Sequence, residues 1–311
     1  MSVKIHFLNV GAGDCTIIHF PARTRGDKSL NERIMMVDIN HNPTDRNYQN
    51  VINYYKENFR DDNGSIKPIF RFICTHPHQD HICGLDALKN DPDITIANFW
   101  DLAHDFEPEN YDYYPTHEAD WKAYKNLTGE KSTATVIRTS REDEPGKYWN
   151  NEEDRISILS PCKELRRYAH YKEDGTKREK TKIEIDEMSY ALVIQINSRK
   201  ILLGGEGRTT PFWENIYTNC KDLIKNCSIL KASHHGQEAG FHEDAVKLIN
   251  PEYIVFSNSE KEDEDYGAEG SYKKAVPKAT ILKTCEPGNI VFEVPFDKSE
   301  EIVFKQVIHG Q

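Results

Sequence analysis

Thr75-His76-Pro77-His78-Gln79-Asp80-His81 decides how this chain is read. Three imidazoles and a carboxylate fall within His76 to His81, directly after the apolar run Ile69-Phe70-Arg71-Phe72-Ile73. A strand that ends in a tight loop can aim all four side chains at one point. Imidazole and carboxylate together suit borderline divalent metals such as zinc, or manganese where oxygen ligands dominate. Cys83 follows two residues after His81, but its neighbours already fill the obvious ligand positions.

Working outward, the chain alternates strands and helices. Residues 3–8 alternate apolar and polar, as a half-buried strand does. Asn9-Val10-Gly11-Ala12-Gly13-Asp14 reads as a turn, Cys15 to Phe20 as a second strand, and Ile34 to Asp38 as a third that ends in a carboxylate. Tyr48, Val51, Ile52, Tyr55 and Phe59 give residues 47–59 helical spacing. Ile82 to Leu88 reads as the start of a helix. Further strands are expected at Thr95–Phe99, Ile156–Leu159, Tyr253–Ser257 and near 281–283, 290–294 and 302–307. Tyr190–Ile196 and Lys200–Gly205 predict a hairpin around Asn197-Ser198. The expectation is a layered α/β architecture in a single domain over residues 1–311. Two polar insertions are expected, at about 104–150, with little periodicity, and at 163–187, strongly charged. Tyr111, Tyr113, Tyr114, Trp121 and Trp149 cluster in the first and are expected to pad a helical lobe or to stack on substrate.

With a net charge of −11, a large basic face for duplex binding is not expected, and no Lys/Arg groove stands out. Bound metal ions would reverse the local field, so a phosphate substrate remains compatible. No run reaches the ~18 apolar residues of a membrane helix, and the start lacks a signal peptide's apolar stretch. The seven cysteines are scattered without a C-x-x-C pair, so reduced thiols and a cytoplasmic location are expected, with no membrane association.

One loop rarely completes a dinuclear site, and more ligands should lie far away in sequence. Leu202-Leu203-Gly204-Gly205-Glu206 is an apolar strand ending in glycines and a carboxylate. Ser233-His234-His235-Gly236 again follows an apolar strand. His6 and His19 lie in strands and His117 and His170 in the insertions, where structural roles are expected; His104, directly after a strand, is the one with a route to the site. Asp14 follows a tight turn and is expected to hydrogen-bond the histidine loop.

Five segments, in order, resemble the metallo-β-lactamase-fold hydrolases, and within them the ComEC-type branch known from the hydrolase domain of competence DNA-uptake channels. They are Phe7 to Asp14, Met36-Val37-Asp38, Thr75 to His81 (an H-x-H-x-D-H motif), Leu202 to Glu206, and Leu230 to Gly236. The resemblance implies a four-layer αββα sandwich with one or two Zn²⁺ or Mn²⁺ ions at one edge. It implies that His76 and His78 hold one metal, and that Asp80 and His81 hold the second with one of His234 and His235. Glu206 would bridge the two, and Asp38 would orient a loop histidine from behind. A water activated by the metal would be the nucleophile, and Asp80, His234 and His235 the residues closest to the chemistry, with the second histidine of the pair steadying the oxyanion or protonating the leaving group.

Three departures from the family pattern stand out. Glu206 replaces a bridging aspartate, and no third histidine serves the first metal. Ile185-Asp186-Glu187-Met188-Ser189 occupies that region, so Asp186 or Glu187 is a candidate oxygen ligand. Tyr266-Gly267-Ala268-Glu269 lacks the relatives' histidine.

The function expected is a metal-dependent phosphodiesterase or nuclease acting on DNA or RNA. One setting is an effector or accessory enzyme of a multi-protein bacterial defence system, restrained by a regulatory protein partner. The alternatives are a hydrolase of a small ester, thioester, lactone or phosphocholine-type substrate, and a catalytically weakened scaffold subunit.

Overall fold

Val3, Ile5 and Phe7 are separated by single residues, and they lie on the strand Ser2–Phe7 of the computed structural model, which describes residues 1–25, 28–42, 47–109, 117–146, 149, 154–286 and 288–307. This strand pairs antiparallel with Thr16–Phe20, Phe7 opposite Thr16, and on its other side with Asn289–Pro295. The chain divides into two compact units, Met1–Asp101 with Tyr111–Ile137 and Pro287–Gln311, and Leu102–Asn110 with Arg138–Glu286. Each carries one large sheet. The α/β class expected from the sequence is therefore present, with two mixed sheets and interspersed helices.

In the first unit the eight strands run in the order Val303–Val307, Asn289–Pro295, Ser2–Phe7, Thr16–Phe20, Arg33–Val37, Arg71–Ile73, Asn98–Trp100, Thr135–Ile137. The last four are mutually parallel, with Val37 beside Ile73 and Ile73 beside Trp100. Parallel neighbours deliver their carboxyl ends to one sheet edge, which is where α/β sheets build sites. Asp38, Thr75 and Asp101 all follow such ends. Buried Met36, Phe72 and Phe99 fill this sheet, the Phe72 and Phe99 rings stacking at 5.2 Å.

In the second unit six strands run in the order Ile156–Ser160, Ala191–Ile196, Arg199–Leu203, Ile229–Lys231, Tyr253–Phe256, Thr280–Lys283. Ala191–Ile196 and Arg199–Leu203 form the expected hairpin, with Asn197 left-handed at φ 53° in its turn. The last four strands are parallel, so Glu206, His234 and Ser257 each follow a carboxyl end of one of three adjacent strands. Leu202, Leu230, Ile254 and Phe256 are fully buried in this unit's core, each worth roughly 1.5–3 kcal/mol of transfer free energy.

Local helix boundaries differ from the sequence reading. Val51–Asn58 is shorter than the 47–59 expected, because Asn50 caps it by accepting from Asn53 N at 2.9 Å. The helix expected from Ile82 instead starts at Leu85, after Gly84 at φ 85°, where a Cβ would lie 2.5 Å from His41 Cβ. Strand Asn98–Trp100 starts later than expected at 95.

The region 104–150 is not without periodicity. His117–Thr128 is a helix that buries Asp120, Trp121, Tyr124 and Leu127 along one face. Trp121 stacks on Tyr124, and Trp149 is also buried, whereas Tyr111, Tyr113 and Tyr114 lie outside the described residues. The charged stretch 163–187 contains the helix Lys163–His170, anchored by Leu165 and Ala169. Among the described residues, no helix is long and apolar enough to cross a membrane.

Candidate metal centre

His76 and His81 are buried on the loop that follows Arg71–Ile73, and their rings lie 4.1 Å apart. The His76 and His78 rings meet edge to face at 4.8 Å. Gln79–Ile82 is a single helical turn that starts from an extended His78. It swings His81 back so that its Nε2 faces Asp80 Oδ2 at 3.3 Å. The four side chains of the motif thus gather within one unit.

Asp38 holds this loop from behind. It is 1% exposed and sits at the left-handed φ of 58°, directly after strand Arg33–Val37. Thr75 N–H donates to its Oδ1 at 2.7 Å, Thr75 Oγ1–H to its Oδ2 at 2.6 Å, and His81 Nδ1 lies 2.8 Å from the same Oδ2. A carboxylate on Nδ1 fixes the tautomer and leaves Nε2 to serve as a ligand. Burial pushes the Asp38 carboxyl up, and His81 and Thr75 offset this only in part. Burial alone would push His81 down, yet Asp80 and Asp38 together hold its pKa well above the ordinary value. Such a focus of negative potential is what a divalent cation neutralises.

Two further residues fasten the loop. Asp14 N–H donates to Asp80 O at 3.1 Å, which is the turn-to-loop bond expected of it. A carboxylate oxygen of Asp14 also lies within 4.8 Å of a ring nitrogen of His81. Gly13 permits this approach: at φ 148° its missing Cβ would lie 2.5 Å from Asp80 O. Asp120, which sequence reasoning missed, accepts from Gln79 Nε2 at 2.9 Å and from Asp86 N at 3.1 Å. The only signal for it was a carboxylate on the buried face of a helix. The Cys83 thiol donates to His41 O at 3.6 Å.

In the second unit Glu206 is 4% exposed. Its Oε1 lies 3.1 Å from His235 Nε2 and 3.9 Å from His234 Nε2. Ser189 Oγ accepts from Glu206 N at 2.9 Å and holds the backbone there. Gly204 is required by packing, since a Cβ would stand 2.7 Å from Lys231 O. His234 N–H donates to Gly205 O at 3.2 Å, joining the two loops.

His234, His235 and Gly236 are all left-handed, at φ 51°, 56° and 89°. A left-handed non-glycine residue costs roughly 1–2 kcal/mol, so two in succession are a strained turn of the kind found at functional sites. The turn points the two imidazoles differently. His235 is buried, and its Nδ1 is 3.0 Å from the Ser257 carbonyl, which makes Nδ1–H the donor and turns Nε2 to Glu206. His234 is half-buried, and its Nδ1 has no hydrogen-bond partner among the described residues.

Asp186 and Glu187 lie on the short helix Ile185–Met188. Asp186 is half-buried, and Glu187 is 1% exposed with both carboxylate oxygens 3.4 Å from Arg208 N. The structure thus gives Glu187 the role of bracing the loop after Glu206. Burial pushes its carboxyl up to about 7, with Arg208 opposing. An unfolded glutamate titrates near ~4.3. Between those values the folded chain keeps a proton that the unfolded chain has lost, so stability falls as pH rises from about 4 to about 7. Glu187→Gln is expected to stabilise the protein at pH 8 by up to about 3 kcal/mol, with the gain vanishing near pH 4. Urea unfolding in chelator across that range measures it.

Four of the other histidines, His6, His19, His104 and His170, have structural partners. His6 is buried with Nδ1 2.7 Å from Tyr54 Oη, and burial lowers its pKa to about 3. His19 Nε2 lies 2.5 Å from Glu32. His104 Nδ1 accepts from Phe106 N, and His170 Nδ1 pairs with Arg166 O.

The donor set suits a divalent metal. In each unit a buried imidazole has its Nδ1 taken by an oxygen, and its Nε2 faces a carboxylate at 3.1 or 3.3 Å. Imidazole nitrogen and carboxylate oxygen in that pairing are the ligands of zinc and manganese sites.

No family model matches the sequence, and no curated protein matches it either. Solved structures similar to it include the metallo-β-lactamase-fold protein YhfI from Bacillus subtilis, 12% identical over 94% of this chain and 100% of that one, with a TM-score of 0.49. Igni18, a metallo hydrolase from Ignicoccus hospitalis, is 14% identical over 98% of this chain and 99% of its own, with a TM-score of 0.47. Zn²⁺-bound PqqB from Methylobacterium extorquens is 11% identical over 89% and 97%, with a TM-score of 0.44. Likeness at this level assigns no activity.

Proposed function

We propose that this chain is a metal-dependent hydrolase of metallo-β-lactamase type, and that its substrates are phosphodiesters. The observation that carries the reading is the gathering of His76, His78, Asp80 and His81 on one loop, with Asp38 fixing the outward nitrogen of His81. In this reading His76 and His78 hold one cation, with Asp186 as a candidate oxygen ligand. Asp80 and His81 of the first unit, and Glu206 and His235 of the second, are the further residues that would supply ligands. The ion or ions, zinc or manganese, would acidify water and offset charge on the phosphoryl oxygens.

The rest is done by the chain's own groups. Asp38 and the Ser257 carbonyl keep His81 and His235 in the Nδ1–H tautomer. His234, set apart from its neighbour by the left-handed turn, is free to carry a proton to the leaving group. Asp120 and Asp14 hold the loop still, and loop position controls attack geometry.

The test is a metal assay on protein purified without chelator, followed by a substrate panel. We expect about one or two transition-metal ions per chain. Bis-p-nitrophenyl phosphate and labelled single-stranded DNA or RNA should be hydrolysed, turnover should stop in chelator, and zinc or manganese should restore it. Faster turnover of a thioester or p-nitrophenyl ester would favour the small-ester alternative. Protein without bound metal and without turnover would leave only the scaffold role.

A further inference from the structure

Val303–Val307 is the outermost strand of the first unit's sheet, and among the described residues it has a strand, Asn289–Pro295, on one side only. The pairing runs without a bulge from Val303 opposite Glu293 to Val307 opposite Asn289, and the strand contains no proline. A regular edge of this kind directs a row of backbone N–H and C=O groups away from the sheet, which makes it a template for another strand. Val303 and Phe304 are 54% and 38% exposed. Successive residues of a strand point to opposite faces, so each face shows one large apolar side chain at the edge.

On one face, aromatic rings form a row across three strands. Phe7 meets Phe292 edge to face at 6.0 Å, and Phe292, directly opposite Phe304, meets it at 5.6 Å. Phe7 and Phe292 are buried, so the row becomes exposed at Phe304, where the sheet stops. On the other face, opposite charges face each other on neighbouring strands: Lys4 stands opposite Glu293, and the two pair at 3.8 Å. Val303 is the next residue outward in that line. Lys305 follows it by two positions and Glu301 precedes it by two. Both are exposed, and among the described residues neither forms an ion pair.

We propose that this edge pairs antiparallel with the same edge of a second copy of the chain, about a two-fold axis at Val303. Facing residues of an antiparallel pair lie on the same face of a sheet, so a symmetric register centres on one residue. Centred on Lys305, the register would set two ammonium groups against each other. Centred on Phe304, it would set Lys305 against Val303 and give the charge no partner. Centred on Val303, it sets Lys305 against the second copy's Glu301, twice over, and repeats the Lys4–Glu293 arrangement. The same register sets Phe304 against the second copy's Ile302 and carries the row of rings across the axis. Opposite charges and apolar pairs across strands favour pairing, and like charges oppose it. Lys305 therefore admits one register and rejects its neighbour, which is how an edge lysine guards a sheet against indiscriminate pairing. A strand of another protein would need the same order of acid, apolar pair and base, and a second copy carries it by identity. Two eight-stranded sheets would join into one.

The test is sedimentation velocity on the full chain over about 1 to 200 µM. The wild type should shift with concentration from the mass of one chain to twice that mass. Lys305→Glu sets like charges opposite each other at two places and should raise the dimer Kd by about 2- to 30-fold. Lys305→Glu/Glu301→Lys should restore it. Val303→Cys should be captured as a disulfide-linked dimer under copper–phenanthroline, since facing Cα atoms about 4.5–5.5 Å apart lie within disulfide reach. The wild type, whose seven cysteines stand elsewhere, is the control. A chain that stays monomeric throughout overturns the proposal and leaves the edge for a strand of different sequence. A dimer that Lys305→Glu leaves unchanged, or that Val303→Cys does not cross-link, overturns it as well, because that dimer is built from another surface.

Discussion

Asp80→Ala is expected to lower turnover of bis-p-nitrophenyl phosphate by about 10³-fold or more while leaving the fold intact. The two effects separate because of where Asp80 sits. Its side chain is 41% exposed, and its backbone carbonyl accepts from Asp14 N. Alanine keeps that bond. What is lost is a carboxylate facing His81 Nε2, and cations in hydrolase sites supply several kcal/mol of transition-state stabilisation. The measurement is turnover, metal content and urea midpoint on the same preparation. Unchanged turnover with Asp80 gone would mean that the activity belongs to something else in the tube.

Asp38→Ala should fail in the opposite way, in the fold first. Asp38 is buried and receives Thr75 N, Thr75 Oγ1 and His81 Nδ1, so removing its carboxylate strands a buried imidazole and two donors. Breaking one side of a buried charged pair costs about 3–5 kcal/mol. Loss of a carboxylate behind a metal-binding histidine costs about 10- to 100-fold in metal affinity. Asp38→Asn separates the two effects. Its amide keeps the volume and can still accept from Thr75 N. It offers His81 a donor in place of an acceptor, which favours the tautomer with the proton on Nε2. Asn at this position should recover most of the urea midpoint and little of the metal binding. Recovery of both would show that Asp38 acts by filling space.

The loop Thr75 to His81 was legible because its imidazoles and carboxylate are local. Four side chains at fixed spacing after an apolar strand need only a tight turn to meet, and His76, His78, Asp80 and His81 do meet. Glu206 with His234 and His235 was legible for a related reason: each stands at the end of an apolar run, and parallel strands bring their ends to one edge. Asp120 was not legible. It lies 41 residues from Gln79, and the aromatic and acidic content of its surroundings hid the spacing of Trp121, Tyr124 and Leu127. The choice between His234 and His235 was equally closed, because it depends on three consecutive left-handed residues and on a carbonyl 22 positions away.

The sequence by itself determined the α/β alternation, the strand ends that carry polar residues and the residue types of a divalent-metal site, since hydrophobic period and ligand spacing are properties of neighbours along the chain. Tertiary structure alone decided which nitrogen of His81 and of His235 is hydrogen-bonded, and which buried carboxylates hold neighbouring backbone, as Asp38, Asp120 and Glu187 do. Those outcomes depend on strand order, register and burial, which place residues far apart in sequence within a few ångströms and set the dielectric in which they ionise.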